Sequence, residues 1–338
     1  MELAMQVLQQ LAVQRAGEEK ARRFVSGAAL ARQFGVTRSA VWKAMGQLRA
    51  LGTDVEAITH RGYRLAQPAT PLDAEGVRSL LQTATRDALR EAECAGELDS
   101  TNSLLLARGA PPPARFDFIT AEHQSAGRGR RGRSWLAPPG GAICLSWSWS
   151  FDALAAGMGA LSLAIGVAAR RALLSQGIEG VRLKWPNDLV TADGKLGGIL
   201  IEMRTESGGP VQVVIGIGLN VALGARLHAE LAAAGVAATD LSALTAGKPP
   251  SRNALVAALL DEGVAAVREF ARQGFAPFRD EFHLADALHE LPVSLHGSGP
   301  VDSGIARGVD AEGALLVEQQ GRIHRVIAGE VSVRRSST

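Results

Sequence analysis

Apolar residues in the first 50 positions recur every three or four residues, the spacing of amphipathic helices. We predict a first helix within residues 1–23. A second helix follows Ser26, whose hydroxyl suits an N-cap, and ends at Gly35, a residue type preferred where helices terminate. A third helix begins after Thr37, and its apolar face carries three residues: Val41, Met45 and Leu48. Two helices joined by so short a turn predict a helix-turn-helix.

The opposite face of the third helix is polar, as expected of a helix that lies in the major groove of DNA. Residues 58–65 follow with a glycine turn, which predicts a two-stranded wing with Arg61 at its tip. Residues 1–70 contain ten Lys/Arg against five Asp/Glu, whereas the whole chain has a net charge of +2. Charge, spacing and wing favour a winged helix-turn-helix at 1–68 over the alternative, a helical hairpin that packs against a partner. The predicted DNA contacts are Thr37, Arg38, Ser39, Lys43 and Arg61.

After a linker at residues 67–71 the pattern changes to that of an α/β protein. Predicted helices lie at 72–92, from 99 onward, at 153–176 and within 225–285; predicted strands lie at 116–123, 143–150, 181–184, 195–203 and 211–221. Short strands and turns fill the last 45 or so residues and predict a small barrel. We therefore predict a central α/β domain at 69–285 and a small β domain at 286–338.

Composition limits the class of protein. A chain of 338 residues with 46% hydrophobic residues is long enough for two or three packed domains. It has neither an unbroken apolar run of the roughly 18 residues that a membrane helix needs nor the apolar segment of a signal peptide. Two cysteines and seven scattered histidines suggest neither a disulfide framework nor a metal cluster. We expect a cytoplasmic protein with no membrane contact and no dedicated metal site.

Residues 127–135 carry the most distinctive chemistry, because four arginines are interleaved with three glycines. Glycine lets backbone N–H groups approach a ligand closely, and guanidinium groups bind carboxylate or phosphate oxygens. The spacing matches G-x-G-x-x-G and, with arginine for lysine, a P-loop, but both require a helix directly afterwards. Pro138 and Pro139 disfavour that helix. A basic run that binds nucleic acid is the other alternative. We predict an anion-binding loop of a different family.

Four motifs follow one another along the chain: Gly-Arg-Gly-Arg-Arg-Gly-Arg from position 127, Lys-Trp-Pro-Asn-Asp from 184, Lys-Leu-Gly-Gly-Ile-Leu-Ile-Glu from 195 and Gly-Ile-Gly-Leu-Asn from 216. Together they closely resemble bacterial biotin protein ligases. The winged helix ahead of them resembles the bifunctional form that also represses the biotin operon. The resemblance extends from about residue 24 onward. It implies an α/β (α+β) fold with a winged helix-turn-helix, a central mixed-sheet domain of the biotin/lipoate ligase type and a C-terminal SH3-like barrel.

The resemblance also implies a two-step reaction. Biotin and MgATP give biotinyl-5′-adenylate, and a lysine of the biotin carboxyl carrier protein of acetyl-CoA carboxylase then takes the biotin. Positive side chains suit the first step, because it brings a carboxylate to a phosphate and builds charge on phosphorus. The implied catalytic residues are Lys195, Arg128 and Arg130. The implied biotin site comprises Ser100, Thr101, Asn102, Gln124, Arg128, Gly129, Arg130 and Lys195. The implied site for ATP and its Mg²⁺ comprises Arg133, Trp135, Lys184, Asn187, Asn220 and Arg334, with Asp188 toward the acceptor lysine.

Two positions depart from the family pattern. Residues 221–245 contain no aromatic side chain, whereas some members stack adenine on tryptophan there, and Ser134 stands where some members have lysine. Lipoate ligases, which share the fold, lack the arginine loop. By resemblance the adenylate-bound protein is a homodimer that binds the operator DNA of biotin genes. The alternatives are a ligase whose winged helix does not regulate transcription, and a transcription factor that senses a small molecule without chemistry. The second is disfavoured because a sensor has no need of Lys195 and a phosphate-neutralising loop.

Overall fold

The computed structural model describes residues 1–15, 24–67, 69–152, 157–205, 210–296, 302–327 and 332–335. Its N-terminal unit is a winged helix-turn-helix built from α1 (Glu2–Arg15), α2 (Gly27–Gln33), α3 (Arg38–Ala50), β1 (Val55–Ile58) and β2 (Gly62–Leu65). Both expected N-caps form, since Ser26 Oγ accepts from Ala29 N and Thr37 Oγ1 from Ala40 N, each at 3.1 Å. This unit has a hydrophobic core of its own.

A seven-stranded sheet forms the centre of the molecule, in the order β3-β4-β5-β9-β8-β7-β6. Only β3 and β4 are parallel among these neighbouring pairs. The strands are β3 (Leu89–Leu98), β4 (Phe116–Gln124), β5 (Ala142–Phe151), β6 (Arg182–Lys184), β7 (Asp188–Val190), β8 (Lys195–Thr205) and β9 (Val211–Asn220). The helices of this unit are α4 (Ala74–Leu80), α5 (Thr83–Ala88), α6 (Thr101–Arg108), α7 (Leu161–Ser175), α8 (Gly224–Ala233), α9 (Leu241–Leu244), α10 (Arg252–Gln273) and α11 (Arg279–Ala285).

Helices cover both faces of the central sheet. On one face α6 packs with Ile119 and Val214; on the other α7 and α10 pack over neighbours such as Phe118 and Trp147. Successive residues of a strand point to opposite faces, so both faces bury apolar side chains. Residues 158–175 form a segment long and apolar enough to cross a membrane, but 67% of it is buried inside the protein. Its packing against α10 makes it a core helix.

The prediction of a helix at residues 72–92 was wrong for its last residues. The chain forms α4 and α5 and then enters β3 at Leu89. Glu91, Glu93 and Ala92 favour a helix by intrinsic propensity. Parallel pairing with β4 overrides that preference, since Ala92 aligns with Phe118 across the ladder. Charged residues suit an edge strand, which pairs on one side only.

The C-terminal unit is an antiparallel five-stranded sheet in the order β13-β12-β11-β10-β14. Its strands are β10 (Pro292–His296), β11 (Ser303–Val309), β12 (Leu315–Gln319), β13 (Arg322–Val326) and β14 (Ser332–Arg335). Turns at 310–313 and 320–321 connect these strands, whereas Gly297 and the glycines at 208–209, which also predict turns, lie outside the described residues. Trp185 Nε1 donates to Gly313 O at 3.1 Å and ties this sheet to the Lys-Trp-Pro-Asn-Asp segment. The boundaries at 68, 285 and 286 stay predictions.

The winged helix is docked on two segments of the central unit. Thr53 Oγ1 donates to Pro139 O at 2.8 Å, just beyond the arginine loop. Asp54 Oδ2 accepts from Ala225 N at 3.3 Å, at the start of α8. The winged helix-turn-helix therefore contacts chain segments that continue directly into the candidate site.

A buried ion pair fixes the linker to the sheet. Arg252 of α10 and Glu122 of β4 are both almost fully buried, and the guanidinium and carboxylate are joined at 2.7 Å by two hydrogen bonds. The same arginine donates to Thr70 O, and the glutamate accepts from Leu72 N and Gly140 N. Both the guanidinium and the carboxylate are therefore held by several hydrogen bonds, which is the condition under which a protein tolerates buried charges.

Candidate active site

A cavity of about 510 Å³ opens where the arginine loop meets the ends of β6, β8 and β9. With one exception it is lined by every ligand-binding or catalytic residue expected from the sequence: Ser100, Thr101, Asn102, Gln124, Arg128, Gly129, Arg130, Arg133, Trp135, Lys184, Asn187, Asp188, Lys195 and Asn220. The exception is Arg334. Its backbone pairs with Ser294 in β14, and its side chain lies outside the described part of the structure. Residues separated by more than a hundred positions in the chain thus surround one space.

The arginine loop is a folded hairpin over this cavity. Trp135 N donates to Gly127 O at 2.9 Å, and Gly129 N donates to Arg133 O at 2.6 Å. A short 3₁₀ turn, Arg130–Gly132, closes the hairpin, and its middle residue has a left-handed φ of 58°. No α-helix begins within residues 127–141, all of which the structure describes, so the segment is not a P-loop.

A chain of buried hydrogen bonds forms one end of the cavity. Thr101 donates from N and Oγ1 to Gln124 Oε1 at 2.8 and 3.0 Å, and its hydroxyl is 2.7 Å from Ser146 Oγ. Ser146 in turn donates to Asn102 Oδ1 at 2.6 Å, and Asn102 Nδ2 donates to Glu202 Oε2 at 2.8 Å. Each side chain is oriented by the next, which gives a small ligand fixed donors and acceptors.

Ser146 and Glu202 were missed from the sequence, although both belong to this network. Glu202 Oε2 also accepts from Arg128 NH2 at 3.2 Å, which connects the network to the arginine loop. Ser146 lies in an alternating strand, where its inward direction was a usable signal. Glu202 ends the motif that begins at Lys195, which was a usable signal, but its contact with Asn102 joins positions a hundred residues apart.

Two glycines of β9 form a flat wall of the cavity. A Cβ at Gly216 would overlap Asn102 Oδ1, and a Cβ at Gly218 would overlap the Trp135 indole. Two side chains therefore occupy the space that a Cβ at either glycine would need. Cys144 lies on the same wall, and burial raises the pKa of its thiol to about 12, so it is neutral at physiological pH.

The cavity is strongly cationic. One carboxylate, Asp188, lines it together with six cationic side chains: Arg128, Arg130, Arg131, Arg133, Lys184 and Lys195. Lys195 Nζ is 2.6 Å from Asp188 Oδ1 and 5.9 Å from the centroid of the Trp135 ring. Burial lowers the pKa of Arg130 from its ordinary value, and Asp188 opposes that shift. Such a set neutralises several anionic oxygens at once.

Two asparagines hold the walls in place through their amide nitrogens. Asn187 Nδ2 donates to Ile199 O at 2.7 Å, and Ile199 N donates to Asn187 O at 2.9 Å, so the Lys-Trp-Pro-Asn-Asp segment is locked to β8. Asn220 Nδ2 donates to Thr239 O at 2.9 Å and lies 3.3 Å from Lys195 O. Both residues therefore have structural partners besides any ligand role.

Part of the cavity lining is aliphatic. Its members are Leu136, Leu231, Ala234, Val236 and Ala238. None of these side chains is aromatic. Among the described residues no group of three or more His, Cys, Asp or Glu side chains is placed to hold a metal ion.

The expected DNA-contact residues are all exposed. Thr37 caps α3, and Arg38, Ser39 and Lys43 are exposed on that helix. Arg61 lies in the turn of the wing, with its guanidinium 4.6 Å from the centroid of the Phe24 ring; that of Arg64 is 4.7 Å from the same ring.

Comparisons with known proteins agree over most of the chain. The biotin/lipoate A/B protein ligase family matches residues 98–220, an HTH domain matches 19–64, and the biotin protein ligase C terminal domain matches 292–334. The bifunctional ligase/repressor BirA of Escherichia coli and that of Salmonella typhimurium are each 37% identical to this chain, over 92% of it and 93% of the relative. The structure of biotin protein ligase from Aquifex aeolicus in complex with biotin and ATP matches with a TM-score of 0.61 and 26% identity, over 73% of this chain and 99% of that one.

Proposed function

The chain belongs to the biotin protein ligase family, among its bifunctional ligase/repressors, and from this we propose that it biotinylates a carrier protein and represses transcription. The observation that carries the enzymatic part is the cavity that joins a buried polar network to six cationic side chains. A neutral ring system with a carboxylate tail fits such a cavity together with a nucleoside triphosphate.

The reaction has two steps. A carboxylate oxygen of biotin attacks the α-phosphorus of ATP, the bond to the bridging oxygen breaks, and pyrophosphate leaves. The ε-amine of the carrier lysine then attacks the acyl carbon and releases AMP. Lys195, Arg128 and Arg130 would neutralise the two approaching anions and stabilise the charge that develops on phosphorus. Their lining of one cavity supports these roles.

We assign biotin to the polar end of the cavity. Its ureido ring would bond Ser100, Thr101, Asn102 and Gln124, and its carboxylate would reach Gly129 and the cationic residues. The buried network behind these side chains supports the assignment, because it holds their dipoles in fixed directions.

The nucleotide would occupy the cationic and aliphatic end. Arg133, Lys184, Asn187, Asn220 and Arg334 would serve the phosphates and ribose, with Trp135 beside them. Adenine would rest on the aliphatic wall, which supports binding without an aromatic partner. Asp188 is the only carboxylate in the lining that the structure describes, so Mg²⁺ would be held chiefly by ATP oxygens. Asp188 would orient Lys195 and face the incoming lysine.

The partners follow from the same assignment. We propose the biotin carboxyl carrier protein of acetyl-CoA carboxylase as acceptor and the operator of biotin genes as DNA target. We also propose that the adenylate-bound protein dimerises through the central sheet. β7 pairs only with residues 195–198 of β8, so within the described strands residues 200–205 have an open edge that supports such pairing. The free thiols of Cys94 and Cys144 fit a cytoplasmic location.

The test combines catalysis and DNA binding with the full-length chain. Purified protein, ATP and labelled biotin should transfer label to a purified biotin acceptor domain, and not to that domain with its target lysine changed to arginine. Anisotropy of a fluorescent biotin-gene promoter fragment should show tighter binding when biotinyl-5′-adenylate is present. Absence of label on the acceptor would contradict the ligase assignment. If the acceptor is labelled but DNA binding does not depend on the adenylate, the protein is a ligase whose winged helix does not regulate transcription.

A further inference from the structure

The recognition helix α3 carries one large apolar side chain that its packing does not use. Trp42 is 65% exposed, the largest exposed fraction among the described tryptophans. The buried stripe of the same helix is complete without it: Val41, Ala44, Met45 and Leu48 are 0–1% exposed. An aromatic side chain that leaves so much apolar surface in water, with no part in the core, suggests a binding contact.

The surroundings of Trp42 identify the partner. Residues 38, 39, 43 and 47 are exposed on the same helix and are Arg, Ser, Lys and Gln, a polar and basic set. A protein-binding surface would be expected to surround such an anchor with further apolar residues, whereas this face offers hydrogen-bond donors and positive charge. The partner that fits is the major groove of DNA, lined by anionic phosphates and exposing the methyl group of thymine as its apolar feature.

The same face of the helix is open one turn after Trp42. Gly46 lies one helical turn after Trp42, and nothing lies within 4 Å of where its Cβ would be. A side chain on a helix leans toward the preceding turn, so the indole lies toward Arg38 and away from Gly46. The open surface at Gly46 lets the helix backbone approach the floor of the groove next to the ring.

We propose that Trp42 is a specificity-determining residue that reads thymine methyl groups in the operator. This proposal rests on the proposed DNA-binding function and adds a base preference to it. Arg38 and Lys43 supply phosphate or guanine contacts, Arg61 anchors the wing, and the indole excludes water from thymine at the centre of the contact. A buried methyl-sized group is worth about a fourfold change in affinity.

The experiment measures methyl dependence and its loss. Wild-type protein with biotin and ATP selects duplexes from a randomised DNA library. The best duplex is then resynthesised with deoxyuridine in place of one thymine at a time, which removes only the methyl group. Dissociation constants are measured by anisotropy for the wild type, Trp42→Ala and Trp42→Phe. The control is Leu284→Ala, which removes a side chain 84% exposed on α11, away from the winged helix.

The expected result is a double-mutant pattern. In the wild type and Leu284→Ala, one or more thymine positions lose about fourfold in affinity on demethylation. In Trp42→Ala, removal of the methyl group at those positions should no longer change the affinity for DNA, and Trp42→Phe should show an intermediate change. Because Trp42 is exposed, the unfolding midpoint of Trp42→Ala should match that of the wild type. Methyl dependence that persists in Trp42→Ala, or weaker self-association of that variant in place of weaker DNA binding, overturns the proposal. Failure of the wild type to select any sequence instead overturns the DNA-binding function itself.

Discussion

Replacing Lys195 by methionine should slow adenylate formation strongly while leaving the fold intact. Lys195 is the first residue of β8, and its side chain reaches into the cavity to lie 2.6 Å from Asp188. Methionine has a similar length and removes only the charge. Each charge-assisted contact to a transition state is worth about 2–4 kcal/mol, so the rate should fall about 30-fold to 900-fold.

The cost in stability should be small by comparison. The Lys195 and Asp188 side chains are 34% and 23% exposed, and pairs that remain in contact with water contribute at most about 1 kcal/mol. Asp188 also stays within reach of the other cations that line the cavity. The unfolding midpoint of the variant should therefore lie close to that of the wild type, which separates a catalytic defect from misfolding.

Exchange of labelled pyrophosphate into ATP in the presence of biotin reports the first step alone. Lys195→Arg serves as the control that keeps the charge, and it should retain more activity than Lys195→Met. When preformed biotinyl-5′-adenylate is supplied, the deficit in carrier labelling should shrink, because no charge then has to develop on phosphorus. Pyrophosphate exchange by Lys195→Met within about threefold of the wild type would refute this reasoning, since a 2 kcal/mol contact predicts a larger loss.

Three further changes test other parts of the structure. Arg130→Gly removes a half-buried cation from the loop over the cavity, so biotinyl-5′-adenylate should escape and label an unrelated protein such as serum albumin. If the label stays confined to the carrier, the loop does not retain the adenylate. Gly216→Ala should raise the KM for biotin about fivefold to thirtyfold, because its methyl group displaces Asn102 and costs one or two hydrogen bonds of about 1 kcal/mol each. The control Gly159→Ala, with nothing near its Cβ, should match the wild type. Equal KM values would show that the polar network does not hold biotin. Arg252→Met leaves the buried carboxylate of Glu122 without its cation and should lower the free energy of unfolding, measured with denaturant, by about 3–5 kcal/mol. A loss below about 1 kcal/mol would mean that the pair is not maintained in solution.

Local interactions explain what could be predicted from the sequence alone. The N-caps at Ser26 and Thr37 form because a hydroxyl bonds a backbone N–H three residues later, a contact that needs no distant partner. The same holds for the wing and for the expectation that no helix follows the arginine loop. The motifs also contribute many of the residues that line the cavity, because the side chains of one motif lie close together along the backbone.

Tertiary structure decided the features that depend on distant partners. Residues 89–92 form a strand because β4 offers them a parallel ladder, against the preference of alanine and glutamate for helices. Glu202 joins the polar network only because β8 brings it to Asn102. The exposure of Trp42 became visible only once the core of the winged helix was complete without it. Propensities and caps act over a few residues, whereas burial and hydrogen bonding across the sheet depend on which segments the fold brings together, and no local pattern encodes that choice.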